Sequence, residues 1–325
     1  MITVDDDANT ELDSTFGDAA SDTTSLNSSV LNYHYENGRR YHAYQQGRYL
    51  LPNDEHEQDH MDILGHIFSL ILSGRLFLAP IAESPQRILD LGTGTGLWAI
   101  EMGDMYPSAE VIGNDLSPIQ PKMVPPNVVF EVDDIESEWV YKSPFDYIHA
   151  RFLATAIRDW PRLFDQAFKH LKPGGYAEFM DYDFIYRSDD NTLTENHEMY
   201  INCVETVRAA SVLGQDACPG PKLKKWAEDA GFADVTQHVF KVPYGPWPKD
   251  PKLKEIGAWN QLQALEGLEG WTTALLSRVL KWSQQRIQVH LAKLRDDYRD
   301  RKIHAYATLY VVYGQKPGGQ AGGGD

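Results

Sequence analysis

Short apolar runs alternate with stretches of helical periodicity through the middle of the chain. Arg87-Ile88-Leu89-Asp90-Leu91 predicts a buried strand that ends in a glycine-rich loop, and Leu97 to Met105 the helix after it. Further strands are predicted at Glu110–Asp115, Val128–Val132 and Phe145–Ala150, and a fifth from Tyr176 to Met180. Leu163, Phe164, Ala167, Phe168 and Leu171 recur at helical spacing, and Lys172-Pro173-Gly174-Gly175 predicts where that helix stops. A helix over Asp59–Leu78 leads into the first strand, and another over Lys222–Ala230 ends at Gly231. Val235–Val242 and Ala305–Tyr313 read as the last two strands. About sixty residues with helical patterning lie between those two, too many for a hairpin turn and suited to a lid or binding element. Thr192 to Val212 predicts a second helical insertion. This alternation implies an α/β fold, a doubly wound, mainly parallel sheet of seven strands with helical insertions.

Composition narrows the class. Of the 325 residues 42% are apolar and 24% charged, as in folded globular proteins, so the chain can bury a sizeable core. The densest apolar run, Ile67 to Leu72, is far shorter than a membrane span, and the N-terminus lacks the pattern of a signal peptide. Two cysteines, Cys203 and Cys218, are too few for a disulfide scaffold or a thiolate metal site. A net charge of −17 argues against direct nucleic-acid binding. The expectation is a protein of the cytoplasm or nucleus. Residues 1–30 carry seven acids and no Lys or Arg, which predicts a disordered acidic tail, and residues 318–325 a flexible glycine-rich one.

The chemistry concentrates at three successive strand ends. Asp90-Leu91-Gly92-Thr93-Gly94-Thr95-Gly96 sits at a strand-to-helix junction, where glycines allow a sharp turn and close approach of a ligand. A dinucleotide fold needs G-x-G-x-x-G, but the third glycine comes one residue early. Asp90 would also repel a diphosphate and suits a cationic ligand such as the sulfonium or amino group of S-adenosylmethionine. Asp115 closes the second strand and could accept both hydroxyls of a ribose. Asp133-Asp134-Ile135 closes the third, placing a carboxylate on an adenine amino group and an apolar side chain against its ring. Ligands of such sheets bind at these carboxyl ends.

Together with Leu171-Lys172-Pro173-Gly174-Gly175, these motifs resemble those of class I S-adenosylmethionine-dependent methyltransferases. More narrowly, Tyr41 to Glu55, Glu57 to Asp62, Phe145 to Arg151 and Asp159-Trp160 resemble the fungal LaeA-like methyltransferases, regulators of secondary metabolism. The match covers residues 39 to 185 well and the remainder loosely, and His60 stands where that family is expected to carry Arg. The resemblance implies S-adenosyl-L-methionine as cofactor, with Tyr44, Arg48 and Tyr49 folding over it to hold its carboxylate. It extends the cofactor-binding set to Asp90, Gly92, Thr93, Gly94, Gly96, Asp115, Leu116, Asp133, Asp134, Ile135 and Arg151. Residues 31–80 are then expected to be a helical segment closing over the cofactor. Residues 81–317 form the methyltransferase domain, with insertions near 186–215 and 245–303. Arg151 could reach the cofactor or a substrate acid, or pair with Asp146.

A sulfonium is an activated donor, so positioning and desolvation carry most of the reaction, and a general base matters only for a hydroxyl or protonated amine acceptor. The candidate bases are His149, Asp181, Tyr182 and Asp183, although a histidine inside a strand is more often structural. His56 and His60 share a helical face, but no metal is expected. Trp247, Trp259, Trp271 and Trp282 either line an apolar pocket or anchor cap helices, with the second reading preferred. The acceptor is a small molecule or a protein. The alternative activity is that of a regulator acting through protein partners with little small-molecule turnover, and a scaffold without catalysis is the third possibility.

Overall fold

A computed structural model describes residues 33–36, 39–42, 44 and 52–318. Both predicted tails except Gly318, together with Arg48 and Tyr49, lie outside the described residues.

Strands β1 (His34–Glu36) and β2 (Arg39–Tyr41) form an antiparallel pair at the start of the expected helical segment. It is pinned to the helix that follows it: Arg39 pairs with Asp54 at 2.6 Å and with Glu57 at 3.4 Å. Helix α1 (Glu55–Ile71) begins four residues before the predicted start, because the Asp54 side chain accepts the amide hydrogen of Glu57 and caps it. It also ends earlier. Ser73 and Gly74 take left-handed backbone conformations that stop it, while Leu64, Ile67, Phe68 and Ile71 bury one stripe.

The main sheet has seven strands. In chain order, β3 (Arg87–Leu91) is followed by α2 (Leu97–Met105), β4 (Glu110–Asp115), β5 (Val128–Val132), β6 (Phe145–Arg151) and α3 (Trp160–His170). Then come β7 (Leu171–Arg187), α4 (Glu198–Val212), α5 (Leu223–Asp229), β8 (Ala233–Pro243), α6 (Pro251–Ala274), α7 (Gln284–Arg299) and β9 (Tyr306–Gln315). Their order across the sheet is β5-β4-β3-β6-β7-β9-β8. The pairs from β5 through β7 are parallel, and β9 runs antiparallel between β7 and β8. The Lys172–Gly175 stretch does end α3, but sheet pairing resumes at Leu171, so β7 begins five residues before Tyr176.

Alternation along β3 explains the double winding. Leu89 and Leu91 pack with α3 on one face, while Ile88 packs with Trp98 of α2 on the other. A third apolar cluster joins α1, α4, α6, α7 and the ends of β7 and β9, so the two insertions form a cap packed on α1. Helix α6 runs into a π-helical turn at Leu275–Val279. Trp282 is buried in the cap core, Trp259 packs edge-on to His66 and Trp247 lies over His304, so these three anchor the cap.

Candidate functional site

The strand order reverses between β3 and β6, and a cavity opens at the carboxyl ends of the strands there. It encloses about 1210 Å³ including its open mouth. Its floor is the glycine loop (Gly92, Thr93, Gly94, Thr95), and one side is Asp115, Leu116, Asp133, Asp134 and Ile135. Arg151, Phe152 and Leu153 continue from β6, and α1 contributes Glu57, His60, Met61, Leu64, Gly65 and Phe68 as a roof.

The glycine loop is built by β4. The amide of Thr93 donates to the Asn114 carbonyl at 2.9 Å, that of Gly94 to the Asp115 carboxylate at 2.9 Å, and that of Gly96 to the Thr93 carbonyl at 3.0 Å. The Gly92 amide faces the Asn114 side-chain oxygen at 3.4 Å. The amides of Gly92, Thr93, Gly94 and Gly96 are thus spent internally, which sets the loop apart from a dinucleotide cradle. Gly92 is needed for a different reason: at φ +64° a Cβ there would lie 2.6 Å from Leu153.

Asp90 does not face the cavity. Its oxygens accept the Thr93 hydroxyl at 2.6 Å and pair with His149 Nδ1 at 2.7 Å, and the residue is buried. The expected contact with a cationic ligand is therefore replaced by a supporting role behind Thr93. Gly96 is likewise not in the wall: it caps α2 at φ +83° against the Phe130 ring, which a Cβ would strike. His149 stacks flat on Trp98 at 3.8 Å in the core, outside the cavity wall, and burial lowers its pKa. Asp181 accepts the backbone amides of Leu153, Ala154 and Tyr182 at 2.7–2.8 Å and so shapes the turn after β6. Burial pushes its carboxyl up to about 7. Asp183 is tied to Arg187 at 2.6 Å. Tyr182 is buried beside the cavity, not in it. The carbonyl of Tyr44 faces His42 Nδ1 at 2.7 Å, and Tyr44 is not in the cavity wall.

Asp115 has one oxygen on the Gly94 amide and the other on the Ser117 amide, and burial raises its pKa to about 6. Asp134 caps the Glu136–Ser137 turn through its own carboxylate, while burial raises the Asp133 carboxyl. Arg151 lies over the Phe68 ring at 5.3 Å, leaving Asp146 to Lys172 at 2.8 Å. Of the two destinations expected for Arg151, the cavity is the one realised. His60 Nδ1 meets Glu57 at 3.2 Å and its ring packs edge-on to Trp271 at 4.8 Å. Gly267 of α6 faces that ring, and a Cβ there would lie 2.7 Å from Nε2. In this way His60 of α1 is packed against the cap.

Sequence reading expected residues 31–80 to close over the cofactor but named none of the α1 side chains that form the roof. Met61, Leu64, Gly65 and Phe68 recur at i, i+3, i+4 and i+7, a signal available as an apolar stripe but not assignable to a cavity. Phe152 and Leu153 gave none, because Phe152 takes a left-handed φ of +56° that only the fold imposes.

Residues 63–237 match a family model described as a methyltransferase domain. The chain belongs to the class I S-adenosylmethionine-dependent methyltransferases. Methyltransferase pytC of Aspergillus terreus is 44% identical over 308 residues, 94% of this chain and 95% of that protein. Secondary metabolism regulator LAE1 of Cochliobolus heterostrophus is 38% identical over 87% of this chain and 94% of its own length. Protein-methionine methyltransferase laeA of Emericella nidulans is 36% identical over 90% of this chain and 79% of its own. The LaeA-like resemblance thus extends along most of the methyltransferase, beyond residues 39 to 185. Its cofactor is S-adenosyl-L-methionine, and the acidic wall without a diphosphate cradle fits a cofactor that carries a sulfonium. None of the helices among the described residues is long and apolar enough to cross a membrane.

Proposed function

We propose that the protein transfers the methyl group of S-adenosyl-L-methionine to an acceptor belonging to secondary metabolism. The placement of Asp115 carries this reading: a half-buried carboxylate on the cavity wall at the end of β4, where a ribose would meet it. In this reading Asp115 accepts the two ribose hydroxyls. Asp133 and Asp134 face the adenine amino group, with Ile135 against the ring and Leu116 beside it. Arg151 holds the methionine carboxylate, with Arg48 and Tyr49 assisting. Gly92, Thr93 and Gly94 give the cofactor its floor, which Asp90 braces from behind. When bound, the cofactor supplies an already activated methyl group. The chain contributes orientation and exclusion of water, which in favourable cases supply ~7–11 kcal/mol.

Calorimetric titration with S-adenosylmethionine tests the assignment, and absence of binding overturns it. Binding should also depend on pH in a defined sense. In the free protein the Asp115 carboxyl holds its proton up to about pH 6, and that proton must leave before both oxygens can accept hydroxyls. Affinity therefore rises as pH climbs through that value and levels off above it. At pH 5 binding is roughly tenfold weaker than at the plateau. Asp115→Asn flattens this profile; an unchanged profile in that variant would assign the proton elsewhere.

A second reading rests on the relatives named as regulators and on the protein-methionine methyltransferase among them. In it, the protein acts through protein partners with little small-molecule turnover. Incubating a cell extract with the enzyme and methyl-labelled cofactor separates the two. Label in the organic phase supports the first reading, and label retained on protein the second.

A further inference from the structure

Glu178 of β7 and His149 of β6 stand opposite each other in the parallel register, and both are fully buried. Side chains so placed share one face of the sheet and start about 5 Å apart. Glu178 Oε2 accepts the amides of Leu78 and Ala79 at 2.8 and 2.6 Å. Those amides belong to the segment that joins α1, the roof of the cofactor cavity, to β3. His149 reaches the floor instead. Its Nδ1 meets Asp90 at 2.7 Å, and Asp90 also accepts the hydroxyl of Thr93 in the cavity floor at 2.6 Å. Roof and floor are thus tethered to two neighbouring side chains.

The remaining polar atoms of the pair, Glu178 Oε1 and His149 Nε2, are buried and have no hydrogen-bond partner among the described residues. The Tyr147 hydroxyl, two positions before His149, is in the same condition. Buried polar groups are nearly always satisfied, so the protonation states have to permit it. An ionised Asp90 only accepts, which places the His149 proton on Nδ1 and leaves Nε2 an acceptor. Were Glu178 ionised as well, Oε1 would be a second acceptor beside the first. A proton on Oε1 removes the conflict. The acid then donates toward Nε2, and one buried water or a small rotation of the carboxyl closes the contact.

The surrounding charges favour this state. Burial pushes the Glu178 carboxyl up to about 7, and no cation pairs with it among the described residues, Arg75 acting only from a distance. The other charged or titratable groups that bear on the pair are Asp90 from β3, Tyr147 and Arg151 from β6, and Tyr106 after α2. Burial lowers the His149 pKa, so the proton belongs on the acid and the imidazole stays neutral.

We propose that Glu178 is a positioning residue for the cofactor cavity: it holds the roof through the Leu78 and Ala79 amides, and as a neutral acid it donates its proton to His149, which holds the floor through Asp90. The proton does not depend on the methyltransferase reading; the link to cofactor binding rests on it.

Infrared difference spectra of the full chain without cofactor test the proton. At about pH 6 the parent should show the carbonyl stretch of a protonated carboxyl that Glu178→Gln lacks, the contribution of Asp181 cancelling in the difference. Nitrogen NMR should find His149 protonated on Nδ1 alone. Stability gives a pH signature. Ionising Glu178 in the fold carries a cost that sets in above its ordinary value of 4.5 and is complete above about 7. The melting temperature of Glu178→Gln should therefore gain on the parent from about pH 5 to about pH 7 and hold steady beyond. The amide also keeps an acceptor for the backbone and a donor for Nε2, so S-adenosylhomocysteine affinity by calorimetry should stay within roughly threefold of the parent. Glu178→Leu strands both amides and should weaken that affinity roughly tenfold. A missing carboxyl band, a proton on His149 Nε2, or a melting difference constant with pH overturns the shared proton, and these readings stand even where Glu178→Leu does not fold. A folded Glu178→Leu that binds like the parent overturns the positioning role. Failure of the parent itself to bind S-adenosylhomocysteine removes the cofactor assignment instead, and the spectra still judge the proton.

Discussion

Replacing Asp115 by Ala is expected to weaken S-adenosylmethionine binding roughly a hundredfold or more, since charged hydrogen bonds contribute about 1.5–3 kcal/mol each and two are lost. The same carboxylate holds the Gly94 and Ser117 amides, so its removal also loosens the floor of the cavity. The variant should remain folded, because both amides border the open cavity and water can replace the lost acceptor. Calorimetry gives the affinity and a melting curve the fold. An affinity within threefold of the parent enzyme would rule out the ribose contact. Asp115→Asn keeps the shape and one acceptor, and should fall between the two.

The largest effect on stability is expected at Asp181. Its carboxylate satisfies three backbone amides in a buried turn, including those of Leu153 and Ala154. Asp181→Ala strands these donors and should cost about 3–5 kcal/mol, lowering the melting temperature by roughly 10 °C. Asp181→Asn retains one acceptor oxygen and should recover about half of the loss. If Asp181 were instead a general base, the alanine variant would melt like the parent and lose only turnover. Thermal melts of the three proteins decide between these outcomes.

The difference between the two aspartates illustrates what a sequence conveys. Asp115 and the Asp133–Ile135 trio were legible because strand-end position follows from short-range pattern, and in a parallel sheet those ends converge on one edge. Asp90 sits in the same motif and looked equivalent. It is not, because the residue paired across from it on β6 is His149, whose ring nitrogen takes one oxygen, while Thr93 takes the other. Which residue stands opposite in the neighbouring strand is a matter of register between segments about sixty positions apart, and local pattern does not encode it. The same holds for the candidate bases Asp181 and His149. Each is a polar group in a strand whose partner comes from a distant segment.

The order of strands and helices, the glycine loop and its family were thus determined by the sequence itself, since each depends on residues within a few positions of one another. The side chains that roof the cavity and the bracing role of Asp90 were decided only by tertiary structure. Packing brings α1, β7 and α6 together, the first two about a hundred residues apart in the chain. Their side chains acquire meaning from what packs against them: the apolar stripe of α1 reads as ordinary core until α6 closes over its other side.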